Sequence, residues 1–407
     1  MYKYTTLSNG LRIVYLPSGS PVTYCGLVIH AGTRDELPGQ SGLAHFVEHM
    51  LFKGTAKRKS WQILNRMENV GGELNAYTTK EETFLYSICL SDDTERAMEL
   101  MADLAFHSQF PEAEIDKERD VVLDEIRSYE DNPDEALCDE FENLLFWGSE
   151  MGRLILGDET SLRTFTSATC RAFVDAFYYP ENMVFFFHGQ MPWAKITRLA
   201  EKYMGEIHAT GVRMPRKRTA PAPIPPVQEK VTKDLHQSHV MIGGRGYGLH
   251  DDRRVGLYLL NNLLGGPGMN SRLNVSLREK RGLVYTADST VTSYSDTGVF
   301  AVYFGCDPES VRRCLRLTYR ELQKLRNRAL TSSQLRAAVK QLKGQAGVSN
   351  DHFENVALGL GKSFLHYNRY DSLPEVYEKL DRLTPPQLLE IANEAFDEER
   401  LFRLIFE

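Results

Sequence analysis

Residues 43–52 read LAHFVEHMLF, and this stretch governs the interpretation of the whole chain. Its apolar residues leave almost no polar face, which predicts a largely buried helix. Residues four apart stack on one face of a helix, so His45, Glu48 and His49 are expected to converge there. Three buried ionisable groups are costly unless they are paired or coordinated. Together they could hold one metal ion.

The order of these residues is His-x-x-Glu-His, the inverse of the His-Glu-x-x-His zinc-protease motif. In both orders two histidines hold the metal and the glutamate acts on a water molecule. Zinc then needs a third protein ligand and keeps its fourth position open. The simpler alternative is a helix with two hydrogen-bonded histidines beside a salt-bridged glutamate, since short motifs also arise by chance.

The third ligand is expected on another helix, and residues 112–135 are rich in carboxylates. Glu118 and Glu125 both lie at helical spacings from the apolar residues Val122 and Ile126. Spacing alone does not choose between the two carboxylates. For either one, a solvated helix face is the alternative.

Several separate blocks carry a wider resemblance. They are residues 6–12 (TLSNGLR), 42–55 (GLAHFVEHMLFKGT), 75–78 (NAYT), 270–273 (NSRL) and 278–285 (REKRGLVY). Together they resemble the pitrilysin, insulysin and mitochondrial processing peptidase family of zinc metallopeptidases, in its short, single-half form. The resemblance spans nearly the whole chain and is far more specific than the pentapeptide alone.

The resemblance implies roles for five residues in the first half. Glu125 lies 76 residues after His49, where the family carries its glutamate ligand. His45, His49 and Glu125 would then bind Zn²⁺, and Glu48 would be the general base. Glu118 matches a family carboxylate that supports the site, as carboxylates often orient metal-bound histidines.

The resemblance also implies five residues that act on the substrate. Arg278 and Tyr285 match an arginine and a tyrosine that hold substrate carbonyls in active members of the family. Asn75 and Ala76 lie on a predicted edge strand to which extended peptides add by backbone hydrogen bonding. Glu81 falls where the family places a further acidic residue near the site. Without the resemblance, these would be ordinary surface or strand residues.

The two halves of the chain are predicted to repeat the same order of elements. In the first half the predicted elements are strand 22–31, helix 43–52, helix 61–69, strand 74–79, strand 83–90 and two long helices. In the second half they are strand 240–244, helix 254–264, helix 271–280, strand 284–292, strand 299–306, helix 309–326 and a helix from 333.

This repeat predicts an α+β fold of two homologous domains, each an antiparallel-rich sheet covered by helices on one face. The predicted segments are residues 1–210, a proline-rich linker at 211–228 and residues 229–407. The helix 254–264 carries neither histidine nor glutamate, and Gln345 falls opposite Glu125 in the repeat. Only the first half is therefore expected to bind the metal.

Composition places the chain among ordinary soluble proteins, with 407 residues of which 42% are hydrophobic. The net charge of −7 argues against a nucleic-acid partner. No apolar stretch is long enough for a membrane span. The N-terminus lacks the pattern of a secretory signal. The six scattered cysteines indicate core thiols in a reducing compartment, so a cytoplasmic location is expected.

The sequence thus predicts a zinc endopeptidase that hydrolyses short or unfolded peptides. Because this chain corresponds to half of an insulysin-like enzyme, two chains are expected to enclose a chamber, most simply as a homodimer. A heterodimer with a related subunit is also possible. The alternative is a non-catalytic structural or chaperone-like subunit of the same family, but such subunits usually lack the ligands present here.

Overall fold

The computed structural model describes residues 1–209 and 218–407. The strands are β1 (Lys3–Thr6), β2 (Arg12–Pro17), β3 (Val22–Ile29), β4 (Glu73–Thr78), β5 (Thr83–Leu90), β6 (Met183–Gly189), β7 (Gln228–Val231), β8 (Ser238–Gly246), β9 (Val284–Ser293), β10 (Gly298–Cys306) and β11 (Phe402–Phe406). Residues 211–217 of the predicted linker lie outside the described residues.

The α-helices lie between these strands along the chain, singly, in pairs or in runs of five. They are α1 (Leu43–Leu51), α2 (Ser60–Glu68), α3 (Thr94–His107), α4 (Glu112–Glu130), α5 (Pro133–Leu145), α6 (Glu159–Leu162), α7 (Ser167–Phe177), α8 (Trp193–Met204), α9 (Arg253–Gly265), α10 (Val311–Asn327), α11 (Ser332–Ser349), α12 (Phe353–Tyr367), α13 (Leu373–Asp381) and α14 (Pro385–Ala395). The predicted helix 271–280 contains a π-helical segment, Asn274–Glu279.

The two sheets have corresponding topologies. The first has the strand order β1-β2-β6-β3-β5-β4, and the second has the order β7-β11-β8-β10-β9. In each sheet the last strand along the chain pairs in parallel with a strand near the start of the same sheet, β6 with β2 and β11 with β7. The other pairings are antiparallel. The predicted α+β fold with two repeated, antiparallel-rich domains is confirmed.

The chain forms two compact units that do not follow a single cut in the sequence. Of the described residues, the first unit contains 1–127, 153–209 and 349–371. The second contains 128–152, 218–348 and 372–407. The predicted domains, residues 1–210 and 229–407, therefore differ from the units in two segments: α5 packs in the second unit and α12 in the first.

The exchanged helices cover a second face of each sheet. In the first unit, Leu360 and Phe364 of α12 share a buried cluster with Phe186 of β6. In the second unit, Phe141 of α5 shares a buried cluster with Leu404 of β11. The other helices pack on the opposite faces, where the two larger cores lie. The predicted layer of helices on one face of each sheet is the layer that forms the larger core. The prediction did not include α5 and α12, which cover the other face.

A continuous apolar strand explains this second layer. Every residue of β6 is buried, including three successive phenylalanines. Successive side chains point to opposite faces of a sheet, so such a strand needs cover on both sides.

All six cysteines are free thiols, as expected, and five of them are buried. Within residues 1–209 and 218–407, no helix is long and apolar enough to cross a membrane; the cytoplasmic location stays a prediction.

Candidate metal centre

Helix α1 begins at a rigid junction. Gly42 precedes it with φ of 88°, a conformation that favours glycine, and a Cβ there would lie 2.5 Å from the Leu156 carbonyl oxygen. The buried carboxyl group of Glu36 accepts hydrogen bonds from the backbone N–H groups of Gly42 (3.2 Å) and Ala44 (2.9 Å). Burial raises the pKa of Glu36 to about 8. These contacts fix the start of the helix that carries both histidines.

His45, His49 and Glu125 form a compact group of metal-binding atoms. One ligand atom from each lies within 4.8 Å of the others. The Nε2 atom of His45 is 3.8 Å from Glu125 Oε1, and the Nε2 atom of His49 is 3.5 Å from Glu125 Oε2. Among residues 1–209 and 218–407, this is the one group of three or more His, Cys, Asp or Glu side chains that could hold a metal ion.

The donor set fits zinc. Two imidazole nitrogens and one carboxylate oxygen from α1 and α4 match the three protein ligands of catalytic zinc sites, in which a fourth position stays open. Burial, together with the neighbouring His49, lowers the pKa of His45 to about 3. His45 is therefore neutral near pH 7, which is the form of imidazole that binds a metal.

Glu118 lies behind His49 and touches its other ring nitrogen. Glu118 Oε1 is 2.9 Å from His49 Nδ1, and Glu118 Oε2 is 2.5 Å from Lys53 Nζ. Burial disfavours the charged forms of both groups, but the hydrogen bond between them raises the pKa of His49 and lowers that of Glu118. The pair directs Nε2 of His49 toward Glu125, so Glu118 occupies a supporting position.

Glu48 lies on the same helix and is held by strand β4. Thr78 Oγ1 donates a hydrogen bond of 2.7 Å to Glu48 Oε2. The carboxyl group is buried, and burial raises the pKa of Glu48, although the Thr78 hydrogen bond and nearby His49 oppose the increase. A carboxylate with a raised pKa beside a group of metal-binding atoms is suited to exchange protons near neutral pH.

Strand β4 is an edge strand of the first sheet and pairs only with β5 among the described strands. Asn75 and Ala76 lie on this strand, as predicted, and both are partly exposed. Glu81 is 1% exposed and its Oε1 atom lies 2.7 Å from Nη1 of the buried Arg34. Glu81 is not a member of the metal-binding group. The substrate roles of all three residues stay predictions.

Arg278 and Tyr285 belong to the second unit. The guanidinium carbon of Arg278 lies 5.5 Å from the centroid of the Tyr285 ring, and Tyr285 is 81% exposed. The two residues are thus neighbours at a surface, with the phenol open to solvent. Their catalytic role stays a prediction.

The sequence did not indicate Glu36, Lys53 or Thr78. Thr78 closes the block of residues 75–78 and is separated from Glu48 by 30 residues, so only the folded structure reveals their hydrogen bond. Lys53 lies four residues after His49, but spacing does not show that it reaches Glu118 on another helix. No sequence pattern near Glu36 indicates that its carboxyl group accepts hydrogen bonds from the first turn of α1.

Two family profiles match the chain in sequence. The profile described as Insulinase (Peptidase family M16) matches residues 12–159, and the one described as Peptidase M16 inactive domain matches residues 164–342. The chain belongs to the M16 peptidase family. This is the family predicted from the sequence, and the chain length fits its short members. His45, Glu48, His49 and Glu125 all fall within the Insulinase match.

Curated M16 relatives include uncharacterized zinc proteases. One from Streptomyces coelicolor is 33% identical over 96% of this chain and 86% of the relative. One from Bacillus subtilis is 32% identical over 100% of this chain and 98% of the relative. The relatives' description as zinc proteases supports the type of metal and the general type of reaction.

Solved structures share the fold. A protease from Helicobacter pylori superimposes with a TM-score of 0.91 at 24% identity, covering 100% of this chain and 99% of the other. A peptidase M16 inactive domain from Pseudomonas fluorescens gives a TM-score of 0.92 at 20% identity, covering 100% and 97%. At these identities the likeness establishes the fold alone.

Proposed function

We propose that this protein is a zinc-dependent endopeptidase that hydrolyses short or unfolded peptides. The observation that supports it most is the position of Glu48, which lies one residue before a metal-binding histidine and is held by Thr78. A group that only bound a structural metal would not need a buried carboxylate beside it. Structural zinc sites are also closed by four protein ligands, whereas this group supplies three.

In this proposal His45, His49 and Glu125 hold the metal. Zinc, when bound, supplies Lewis acidity and makes a water molecule acidic enough to attack near neutral pH. Glu48 receives the proton of the attacking water and delivers it to the leaving amine. Its Oε2 atom already accepts the Thr78 hydrogen bond, while Oε1 has no hydrogen bond to another described residue. Oε1 is therefore the oxygen that takes the proton.

Substrate binding is proposed on strand β4. Its free edge offers backbone N–H and C=O groups to an extended peptide, and Thr78 on the same strand reaches Glu48. Addition of a strand gives affinity through the main chain with little demand on sequence. A folded protein cannot present such a segment, which is why flexible peptides are the proposed substrates.

The proposed assembly is a dimer that encloses a chamber, most simply a homodimer, although a heterodimer with a related subunit would serve the same purpose. The exposed phenol of Tyr285 and the adjacent Arg278 are then proposed to contact substrate carbonyls at the metal centre of the partner chain. An oxyanion-hole donor of this kind contributes about 3–4 kcal/mol to transition-state stabilisation. This part of the proposal rests on the family resemblance.

The second candidate is a non-catalytic subunit. It is favoured only by the name of the profile that matches residues 164–342, which contains the word inactive. That match includes helix α9 of the second domain, which lacks metal-binding residues at the positions equivalent to His45 and His49. A second domain that binds no metal is expected whether or not the first domain is catalytically active, so the profile name does not decide between the two candidates.

Metal removal and return separates the two candidates. The protein is stripped with a chelator, and cleavage of an unbiased pool of synthetic peptides is followed by mass spectrometry before and after one equivalent of Zn²⁺ is added. The endopeptidase proposal predicts internal cleavage that disappears on stripping and returns with zinc. Zinc binding without cleavage of any peptide would favour the non-catalytic candidate.

A further inference from the structure

A long groove lies in the second unit between residues 270–281 and helix α10. Two adjoining cavities of about 740 and 610 Å³ form it, and they share Arg281, Leu317, Arg320 and Gln323 in their walls. The groove involves no residue of the candidate metal centre. It is a separate feature of the second unit.

The walls of the groove are strongly basic. Eight of the residues that line it are arginine or lysine, and one, Glu321, is acidic. The whole chain, in contrast, has 48 basic and 55 acidic residues and a net charge of −7. Positive charge is thus concentrated in the groove against the balance of the chain. Such concentration raises the local density of anions.

Four of these side chains form a row along α10. Arg313, Arg316, Arg320 and Lys324 are spaced by three, four and four residues, so they lie on one face of the helix. At 1.5 Å per residue the row is about 16 Å long. Arg281 lines both cavities and so belongs to the same groove. The four side chains of α10 thus place positive charges in a line along one wall of the groove.

The arginines of this row have no acidic partner among residues 1–209 and 218–407. None of Arg313, Arg316 and Arg320 has a carboxylate within 4 Å in the described part of the chain, whereas Lys324 lies 2.6 Å from Glu321. All three arginines are exposed. Like charges at neighbouring helix positions repel each other. The row is therefore destabilised until an anion occupies it.

The equivalent place in the first unit shows the opposite arrangement. There a cavity is lined by residues of α2 and by Arg58, Arg66 and Arg96. Arg58 lies 2.7 Å from Glu99 and also pairs with Asp103 on α3, and Arg66 lies 3.3 Å from Glu99. At this position in the fold the arginines of the first repeat are thus paired with carboxylates, whereas the arginines of the α10 row have none within 4 Å among the described residues. The fold shared by the two repeats therefore does not by itself explain why the arginines of the α10 row lack carboxylate partners among the described residues.

We propose that the α10 groove binds a linear polyphosphate chain. The planar guanidinium group donates paired hydrogen bonds that match phosphate oxygens, and a row of such groups suits an anion whose charges repeat along a line. Among the described residues that line the walls, Tyr319 is the one aromatic residue and is partly buried, so they do not provide the stacking surfaces by which single-stranded nucleic acids are bound. None of the exposed large apolar residues lies on α10, which disfavours a lipid surface.

The test measures binding of a linear polyphosphate of defined length that carries a fluorescent label at one end, using anisotropy and the full-length protein. The variant Arg316→Gln/Arg320→Gln removes two charges from the row. The control Arg312→Gln/Arg336→Gln removes two exposed charges from α10 and α11 outside the groove walls. We expect the groove variant to weaken binding at least about tenfold, since hydrogen bonds to charged groups are the strong ones, and the control to change it by less than about twofold.

Three further measurements make the result decisive. Arg320→Lys keeps the charge but loses the paired donors, so it should weaken binding by less than the double variant does. Thermal unfolding of each variant checks that the fold is retained. Equal losses in the groove variant and the control would overturn the proposal. Tighter binding of polyglutamate or oligothymidylate of matched charge would also overturn it, in favour of an acidic peptide or a single-stranded nucleic acid.

Discussion

Glu118 hydrogen-bonds His49 on the side away from Glu125: Glu118 Oε1 is 2.9 Å from Nδ1, whereas Glu125 Oε2 is 3.5 Å from Nε2. The two carboxylates come from the same helix and contact the two nitrogens of one imidazole. In the proposed function, this relationship makes Glu125 the ligand and Glu118 its supporting carboxylate, and it determines what each substitution should do.

Glu125→Gln should lose zinc almost completely, because it removes the charged ligand. Glu118→Gln should weaken zinc binding by about 10- to 100-fold, the effect usual for a supporting partner of a ligating histidine. Competition with a fluorescent chelator measures both affinities on protein whose fold is checked by circular dichroism. Equal affinities in the two variants would contradict the assignment.

Zinc binding should release a proton from His49. The pKa of His49 is raised in the folded, metal-free protein, so part of the population carries a proton near neutral pH, and zinc must displace it. His45, with a pKa of about 3, carries none. Apparent zinc affinity should therefore fall as the pH decreases through the pKa of His49. Stability that the His49–Glu118 pair gives the metal-free protein should be lost as the pH rises through that same pKa.

Calorimetric titration in buffers of different ionisation enthalpy counts the released protons. In Glu118→Gln the pKa of His49 should decrease, so release should shift to lower pH. Glu48→Gln serves as the comparison, because it removes the other nearby group whose pKa is raised, and its charge raises the pKa of His49 by less than the Glu118 hydrogen bond does, so the shift should be smaller than in Glu118→Gln. An unchanged pH dependence in Glu118→Gln would show that the hydrogen bond does not control His49.

Thr78→Val should lower kcat by about 10- to 100-fold with little change in KM, because it removes a hydrogen bond to the charged base without changing the size of the side chain much. Thr78→Ser keeps the hydroxyl and should recover most of the activity. Steady-state kinetics on one peptide substrate compare the three proteins. If valine and serine behave alike, the hydrogen bond to Glu48 has no catalytic effect.

Tyr285→Phe should be nearly inactive alone and should complement Glu48→Gln in a mixed dimer. The Tyr285→Phe chain would supply the metal centre and Glu48, and the other chain would supply the phenol. Activity is measured after subunit exchange, which is confirmed by mass spectrometry of differently tagged chains. No recovery despite exchange would reject action across the dimer. An active Tyr285→Phe homodimer would remove the tyrosine from the mechanism.

The local parts of the structure were predictable because they follow from short-range periodicity. Helix α1 was predicted as 43–52 and spans Leu43–Leu51, and strand β5 has the predicted bounds. The repeat was also visible, since each element has its own periodicity and the order recurs. The exchange of α5 and α12 was not predictable, because an apolar helix face does not specify which sheet it will cover.

The choice between Glu118 and Glu125 shows the limit of spacing at the site. The two residues are seven positions apart, which is about two helical turns, so both face α1. Periodicity cannot rank two residues on one face. Apart from the family resemblance, only the positions of the histidine nitrogens distinguish them, and those depend on how α1 and α4 pack.

The most direct test of the central claim compares the parent protein with Glu48→Gln in zinc content and in cleavage of an unbiased peptide pool. Glutamine keeps the size of the side chain but cannot accept the proton of the attacking water. The account predicts about one zinc per chain in both proteins, and a loss of nearly all cleavage, at least about a hundredfold, in the variant. Cleavage within a few-fold of the parent by zinc-loaded Glu48→Gln would contradict it.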